Sequence, residues 1–304
     1  MAKNILLAGA TGLVGEQLIS KLLADGHQVA ILVRKAVQKE GVKVFLWDVY
    51  QQTIDNQALE GIDTIINLTG EGIADKPWTA ERKQQIIDSR VKSAELIFRA
   101  IKETNSNINS YISASAVGIY GDRADEVLDE ESLPGTGFMA DCCIAWEKAA
   151  DQGIALGIRV VKIRIGIVLS EKGGALASME KPLNYFVGAG LGSGKQWMPW
   201  IHVDDLVNIF IHAMANKNMF DAYNAAAPSP ATNQTFTQTL GKVLHRPIWP
   251  FNVPKFVLKA ILGEMSILPL ISTNTSAQKI LNTGFQFRYL NLEEALKAIY
   301  ERKK

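Results

Sequence analysis

The sequence predicts an α/β protein whose parallel sheet is doubly wound, with helices on both faces. Three observations carry this. Apolar strand-like runs alternate with amphipathic stretches from residue 4 to residue 165. The first run, Ile5 to Ala8, passes through a glycine turn into Val14, Leu18 and Leu22, one face of a helix. The second, Gln28 to Val33, is almost continuously apolar, as a strand covered on both sides should be. Right-handed crossovers between parallel neighbours then distribute the helices over both faces.

Taken in order, Asp25-Gly26-His27 stops the first helix, with glycine at the left-handed position. Strands follow at 28–33, 42–47 and 63–68, and the last enters Thr69-Gly70-Glu71-Gly72. A charged helix at 79–102 carries its stripe on Ile86, Ile87, Val91, Ala94 and Ile97. A strand at 109–115, a helix at 138–156 and a strand at 159–165 complete the alternation. Beyond residue 170 the pattern loosens into a glycine-rich loop ending in Gln196-Trp197-Met198-Pro199-Trp200. Helices at 203–215, 233–244, 254–262 and 292–302 and a strand at 221–225 follow. The expected division is residues 1–170 as the sheet domain and 171–304 as a small, mainly helical lid, some of whose segments return to the sheet.

At 304 residues the chain is long enough for one large or two smaller domains. Its 47% hydrophobic and 21% charged residues are those of an ordinary globular protein, and a net charge of +1 argues against nucleic acid or an anionic membrane as partner. No apolar segment reaches 18 residues, and the only cysteines, Cys142 and Cys143, are adjacent. With no signal peptide in view, the expected location is the cytoplasm. A small-molecule substrate is the expected partner, and a homodimer the expected assembly.

The glycine turn is Gly9-Ala10-Thr11-Gly12-Leu13-Val14-Gly15. Gly9 permits the tight turn, Gly12 lets backbone approach a pyrophosphate, and Gly15 lets the helix lie close to the strand. The helix start then offers unpaired N–H groups to phosphate. This makes the sheet domain a dinucleotide-binding (Rossmann) unit, although the spacing is GxxGxxG and not GxGxxG. At the end of the second strand, an acid would bond a ribose 2′-hydroxyl and an arginine would accommodate a 2′-phosphate. Between Val29 and Lys39 there is no acid, and Arg34 and Lys35 stand there instead. The planar fork of a guanidinium suits phosphate, so the expected cofactor is NADP(H). Gly194-Lys195 resembles a triphosphate loop only superficially, because Ala189 and Gln196 occupy its required glycine and hydroxyl positions. The four histidines, at 27, 202, 212 and 245, are dispersed, and no metal site is expected. His202 precedes Asp204-Asp205, read as caps at a helix start.

Further motifs occur in order: Asn67-Leu68-Thr69-Gly70-Glu71, Trp78, Asp88-Ser89-Arg90, Ser113 to Gly118, Cys143 with Trp146-Glu147, Gly192-Ser193-Gly194, and Trp197 to His202. Together with the glycine turn and Arg34, they resemble the epimerase-like, atypical short-chain dehydrogenase/reductase proteins labelled nucleoside-diphosphate-sugar epimerases. Gly263-Glu264-Met265 and Gly284 to Phe287 resemble that family's C-terminal domain, so the likeness spans nearly the whole chain. The resemblance implies an NADP(H)-binding Rossmann fold with Arg34 near the adenosine phosphate. It also implies that Leu68 and Thr69 line the cofactor, that Arg90 faces it, and that Val168 approaches it after the sixth strand.

The resemblance to the wider superfamily breaks at the catalytic position. Those enzymes use a Ser or Thr after the fifth strand with a Tyr-x-x-x-Lys pair on one face of the next helix. Ser115 fits the first role, but the pair falls on Cys143 and Glu147. The only Tyr-x-x-x-Lys, Tyr300 to Lys304, lies outside the dinucleotide unit and is set aside. Candidate catalytic residues are therefore Ser115, Cys143 and Tyr120. Each also has a plain structural reading: a strand-end serine, a small buried helix residue and a core aromatic. Trp197 and Trp200 read equally as pocket wall or core. Two functions remain open. One is an NADP(H)-dependent oxidoreductase or epimerase-like enzyme acting on a small carbonyl or nucleotide-sugar-like substrate. The other is a non-catalytic NADP(H)-binding regulator; some members of the family carry a cell-division label.

Overall fold

The computed structural model describes residues 2–301. The chain runs β1 (Asn4–Ala8), α1 (Leu13–Ala24), β2 (Gln28–Val33), β3 (Val42–Asp48), β4 (Thr53–Ile54), β5 (Thr64–Asn67), α2 (Ala80–Thr104), β6 (Ser110–Ala116), β7 (Val127–Leu128), α3 (Phe138–Ala150) and β8 (Arg159–Ile165). It continues with β9 (Ile167–Leu169), α4 (Ala175–Asn184), β10 (Trp197–Met198), β11 (Trp200–His202), α5 (Val203–Ala215), β12 (Asp221–Ala225), β13 (Ala231–Thr232) and α6 (Asn233–Leu244). The last elements are α7 (Lys255–Leu262), α8 (Ile267–Leu270), β14 (Asn274–Thr275), α9 (Gln278–Asn282) and α10 (Leu292–Glu301).

The main sheet has the order β12-β8-β6-β5-β1-β2-β3-β4, parallel except for β4, which pairs antiparallel with β3. Leaving β1, the chain first builds outward through β2 and β3, then returns to the other side of β1 with β5. This reversal opens a crevice beyond the carboxyl ends of β1 and β5. Each face is sealed by apolar side chains. Leu18, Ile19 and Leu22 of α1 pack with Leu206, Ile209 and Phe210 of α5 against Leu7, Ile31 and Ile112. On the other face, Ile97, Phe98 and Ile101 of α2 and Ala149 and Ala150 of α3 cover Leu6, Ile65 and Tyr111.

The C-terminal elements surround a separate core of Trp200, Phe236, Leu240, Leu292, Leu296 and Ile299. They are not a simple appendage: α5 covers the main sheet and β12 extends it beside β8. The expected caps, Asp204 and Asp205, do not cap α5: its cap is the ring of His202, which accepts from the Asp204 N–H at 3.1 Å. Asp205 is buried and accepts the N–H groups of Arg288 and Tyr289 at 2.8 and 3.0 Å, tying the distant C-terminal segment to α5. The expected helix at 138–156 ends at Ala150 and tightens into 3₁₀ turns over Asp151–Leu156. The expected glycine-rich loop contains α4, because only its ends, Gly173-Gly174 and Gly188 onward, are rich in glycine. Lys304 and Arg302 lie outside the described residues. Tyr300 donates to Glu180 at 3.0 Å, inside the C-terminal layer.

Candidate cofactor crevice and adjoining cavity

The three glycines of the turn serve separate needs. Gly9 has φ +77°, and a Cβ there would lie 2.6 Å from the Leu68 carbonyl carbon, so β1 and β5 could not end side by side. At Gly15 a Cβ would lie 2.5 Å from the Gly9 oxygen, so α1 could not sit against its own turn. Gly12 differs. It has extended backbone, with φ −82° and ψ 170°, and a Cβ would meet nothing nearer than the Gly9 oxygen at 3.5 Å. Nothing in the chain requires glycine there, and the space it leaves open is in front of the α1 N-terminus. That end has no side-chain cap, leaving its N–H groups for an outside acceptor.

The other cofactor candidates border the same crevice. Leu68 and Thr69 follow β5 directly and are half-buried. Thr69 Oγ1 is buried and without a hydrogen-bond partner among the described residues. The Arg90 guanidinium lies against Gly70, stacks 4.7 Å from the Trp146 ring centre, and donates to the carbonyls of Ile86 and Glu71 at 2.8 and 3.2 Å. Val168, in β9, approaches the turn from the far side: a Cβ on Gly174 would lie 3.6 Å from Leu13 and 4.0 Å from the Val168 oxygen. Arg34 stands at the mouth with its side chain 72% exposed, 3.4 Å from Glu71 Oε1. Glu71 comes from the loop after β5, 37 positions along the chain from Arg34, so the residues around Arg34 give no sign of it.

The catalytic candidates are a different matter. Ser115, Tyr120 and Cys143 are 1%, 0% and 4% exposed, so none presents its reactive atom to an open cleft. Ser115 donates to Glu147 Oε1 at 2.7 Å. Glu147 in turn takes a two-point pair from Arg164, Nε to Oε1 at 2.8 Å and Nη2 to Oε2 at 3.0 Å. Arg164 also donates to the Tyr120 hydroxyl at 2.9 Å, and that hydroxyl donates to Asn224 Oδ1 at 2.7 Å. Burial alone would lower the Arg164 pKa, but the hydrogen bonds and charge of Glu147, helped by Tyr120, hold it above its ordinary value. The glutamate at the usual lysine position therefore brings no stray charge to the site. Its partner, Arg164, was not singled out in the sequence. The signal was there: Lys162 and Arg164 interrupt a strand that is otherwise buried, and such charges need partners.

Burial pushes the Tyr120 phenol up to about 12. The Cys143 thiol is also pushed up to about 12, by burial first and then by Cys142 and Glu147, against the opposing pull of Arg90. Neither matches a group that exchanges protons near neutrality. We expect Cys142 and Cys143 to react with a soluble disulfide reagent at pH 8 at least about a hundredfold more slowly than a free thiol, and at full rate in denaturant. Rapid labelling of the native protein would show that Cys143 is accessible as a thiolate.

A cavity of about 710 Å³ lies beside the crevice. It is bounded by Trp78 and Lys83 at the start of α2, by Gly137 to Met139 at the start of α3, and by Glu264 and Ile267 of the C-terminal layer. Trp78 and Phe138 form an edge-to-face wall with ring centres 4.7 Å apart. Lys83 pairs with Glu264 across the cavity boundary. Met139 lies one helical turn before Cys143, and a Cβ on Gly118 would touch both side chains, which places the cavity next to the ends of β6 and α3. Trp197 and Trp200 do not line it. Trp200 is fully buried and donates to the Ser229 carbonyl, and Trp197 donates to Asp125. The aromatic wall comes instead from Trp78, at the start of a helix, and Phe138, so spacing along the chain could not reveal it.

The glycine turn, the reversal of strand order and the side chains at the strand ends define a Rossmann-type protein of the short-chain dehydrogenase/reductase class. The family pattern described as NAD-dependent epimerase/dehydratase matches residues 5–143 and 173–226, and one described as a domain of unknown function (DUF1731) matches 253–299. The chain belongs to the NAD-dependent epimerase/dehydratase family. It is 36% identical to an epimerase family protein, YfhF, of Bacillus subtilis over 296 residues, 96% of each chain. It is 37% identical to the chloroplastic SDR39U1 homolog of Arabidopsis thaliana over 306 residues, covering 98% of this chain and 87% of that one. The structure of human epimerase family protein SDR39U1 with NADPH superposes with a TM-score of 0.86 at 29% identity, covering 98% of this chain and 99% of that one. Among the described residues no helix is long and apolar enough to cross a membrane.

Proposed function

We propose that this protein binds NADP(H) in the crevice and acts as an oxidoreductase or epimerase-like enzyme on a small carbonyl or nucleotide-sugar-like molecule held in the adjoining cavity. The observation that carries the reading is Gly12, a glycine with no steric reason inside the chain, facing open space at an uncapped helix end. Gly9, Thr11, Gly12, Leu13, Val14 and Gly15 would hold the pyrophosphate, Arg34 the 2′-phosphate, and Leu68, Thr69, Arg90 and Val168 the rest of the dinucleotide. The presence of NADPH in the human relative's structure supports this choice. When bound, the cofactor supplies a hydride at its nicotinamide ring.

The chain's own residues orient the substrate and exclude water. Trp78 and Phe138 would wall the substrate, and Ser115, buried and already giving its proton to Glu147, would position that carboxylate without touching the ligand. One observation favours the regulator instead: the three proton-transfer candidates are buried, and the hydroxyls of Ser115 and Tyr120 are already bonded to protein partners. The two readings part on turnover. Net oxidation or reduction of NADP(H) with a panel of carbonyls and alcohols, or conversion of a nucleotide sugar to its epimer with no net change in the cofactor, supports the enzyme; tight binding with neither supports the regulator.

Arg34→Ala is expected to weaken NADPH binding at least about tenfold while leaving NADH within about twofold, since a charge-assisted pair contributes about 1.5–3 kcal/mol. Isothermal titration of both dinucleotides checks this. Equal affinity of the unaltered protein for NADPH and NADH would overturn the 2′-phosphate assignment.

A further inference from the structure

We propose that Glu71 is a selectivity residue for the dinucleotide. It acts as an internal counter-anion that holds Arg34 in the free protein, and a 2′-phosphate must draw Arg34 away from it. The inference rests on the cofactor reading above and adds to it a residue that opposes Arg34.

The geometry makes Glu71 the fixed partner and Arg34 the movable one. Three residues of α2 hold Glu71. Arg82, only 6% exposed, reaches Oε2 at 3.2 Å and the neighbouring Gly72 carbonyl at 2.8 Å. Ser89 Oγ accepts the Glu71 N–H at 3.0 Å, and Arg90 donates to the Glu71 carbonyl at 3.2 Å. The carboxylate is thereby aimed at the end of β2, with Oε1 3.4 Å from the largely exposed Arg34. An arginine that reaches over an open crevice mouth has many rotamers to lose, and a fixed carboxylate beside it selects some of them. That carboxylate offers a guanidinium a two-oxygen edge, as two oxygens of a tetrahedral phosphate do.

The consequence is a competition. A 2′-phosphate carries nearly two negative charges, and placing it on Arg34 beside a fixed carboxylate is opposed by like charge. A 2′-hydroxyl carries no charge and escapes that opposition. Glu71 therefore lowers the preference for NADPH over NADH below what Arg34 alone would give. It also leaves the empty site with a neutralised arginine and less attraction for other anions.

The test uses the full chain with NADPH, NADH, 2′-AMP and 5′-AMP as probes. Glu71→Gln keeps the shape and removes the charge. It is expected to tighten NADPH and 2′-AMP about threefold to tenfold and to leave NADH and 5′-AMP within about twofold. In the Arg34→Ala background the gain should be smaller, because the carboxylate's hold on the guanidinium is gone and only its like-charge repulsion of the phosphate remains. Unchanged or weaker NADPH binding in Glu71→Gln overturns the proposal, as does an equal gain without Arg34. Unaltered protein that binds neither dinucleotide overturns the cofactor reading itself. NADPH binding that Glu71→Gln does not tighten overturns only the role given to Glu71.

Discussion

Gly12→Val is expected to abolish NADPH binding, with affinity falling at least about a hundredfold, while the protein stays folded and melts within a few degrees of the unaltered chain. The two halves of this result have separate causes. The backbone at Gly12 is extended, which valine adopts freely, and among the described residues its Cβ would meet only the Gly9 oxygen, at 3.5 Å. The fold therefore has no reason to resist. The branched side chain would, however, fill the space in front of the α1 N-terminus and keep phosphate oxygens from its N–H groups. Titration with NADPH and a thermal melt check the two halves together. Undiminished binding would mean that the phosphates lie elsewhere, and a collapsed melt would mean that Gly12 serves the turn. Gly15→Val provides the contrast: a Cβ 2.5 Å from backbone oxygen has nowhere to go, and that variant should lose stability as well as binding.

Glu147→Ala is expected to cost stability more than any substitution on the exposed face of α3. The change leaves Arg164 charged and 8% exposed, bonded only to the Tyr120 hydroxyl and the Glu130 carbonyl. Removing one partner of a buried pair costs roughly 3–5 kcal/mol, a fall in Tm on the order of 10 °C for a chain of this size. Replacing both partners with apolar residues, Glu147→Met with Arg164→Met, should recover most of the loss, because no uncompensated charge then remains. Thermal and urea melts of the three variants measure this. A cost below about 1 kcal/mol for Glu147→Ala would show that the network is not structural.

The buried network also explains how the catalytic position can depart from the superfamily pattern without strain. At the positions of that tyrosine and lysine, Cys143 lies near Gly118, and Glu147 bonds Ser115 and Arg164. The strand-end residue left partly exposed is Ala116, beside the buried Ser115.

What the sequence by itself determined is local and periodic. Apolar runs of strand length, helical stripes and a glycine turn between them were enough to specify a parallel sheet wound on both faces. These patterns record which side of each element is removed from water. The empty acid position after β2 was legible for the same reason, since it lies within one stretch of chain. Only the tertiary structure decided which charges meet. Glu71 reaches Arg34 across 37 positions, Arg164 reaches Glu147 across 17, and Asp205 reaches Tyr289 across 84. It also decided that Trp78 and Phe138, and not Trp197 and Trp200, form the aromatic wall. Electrostatic and hydrogen-bond partners are chosen by distance in space, and burial makes that choice costly to leave unmet. No spacing along the chain encodes it, because it exists only once the crossovers have brought the strand ends together.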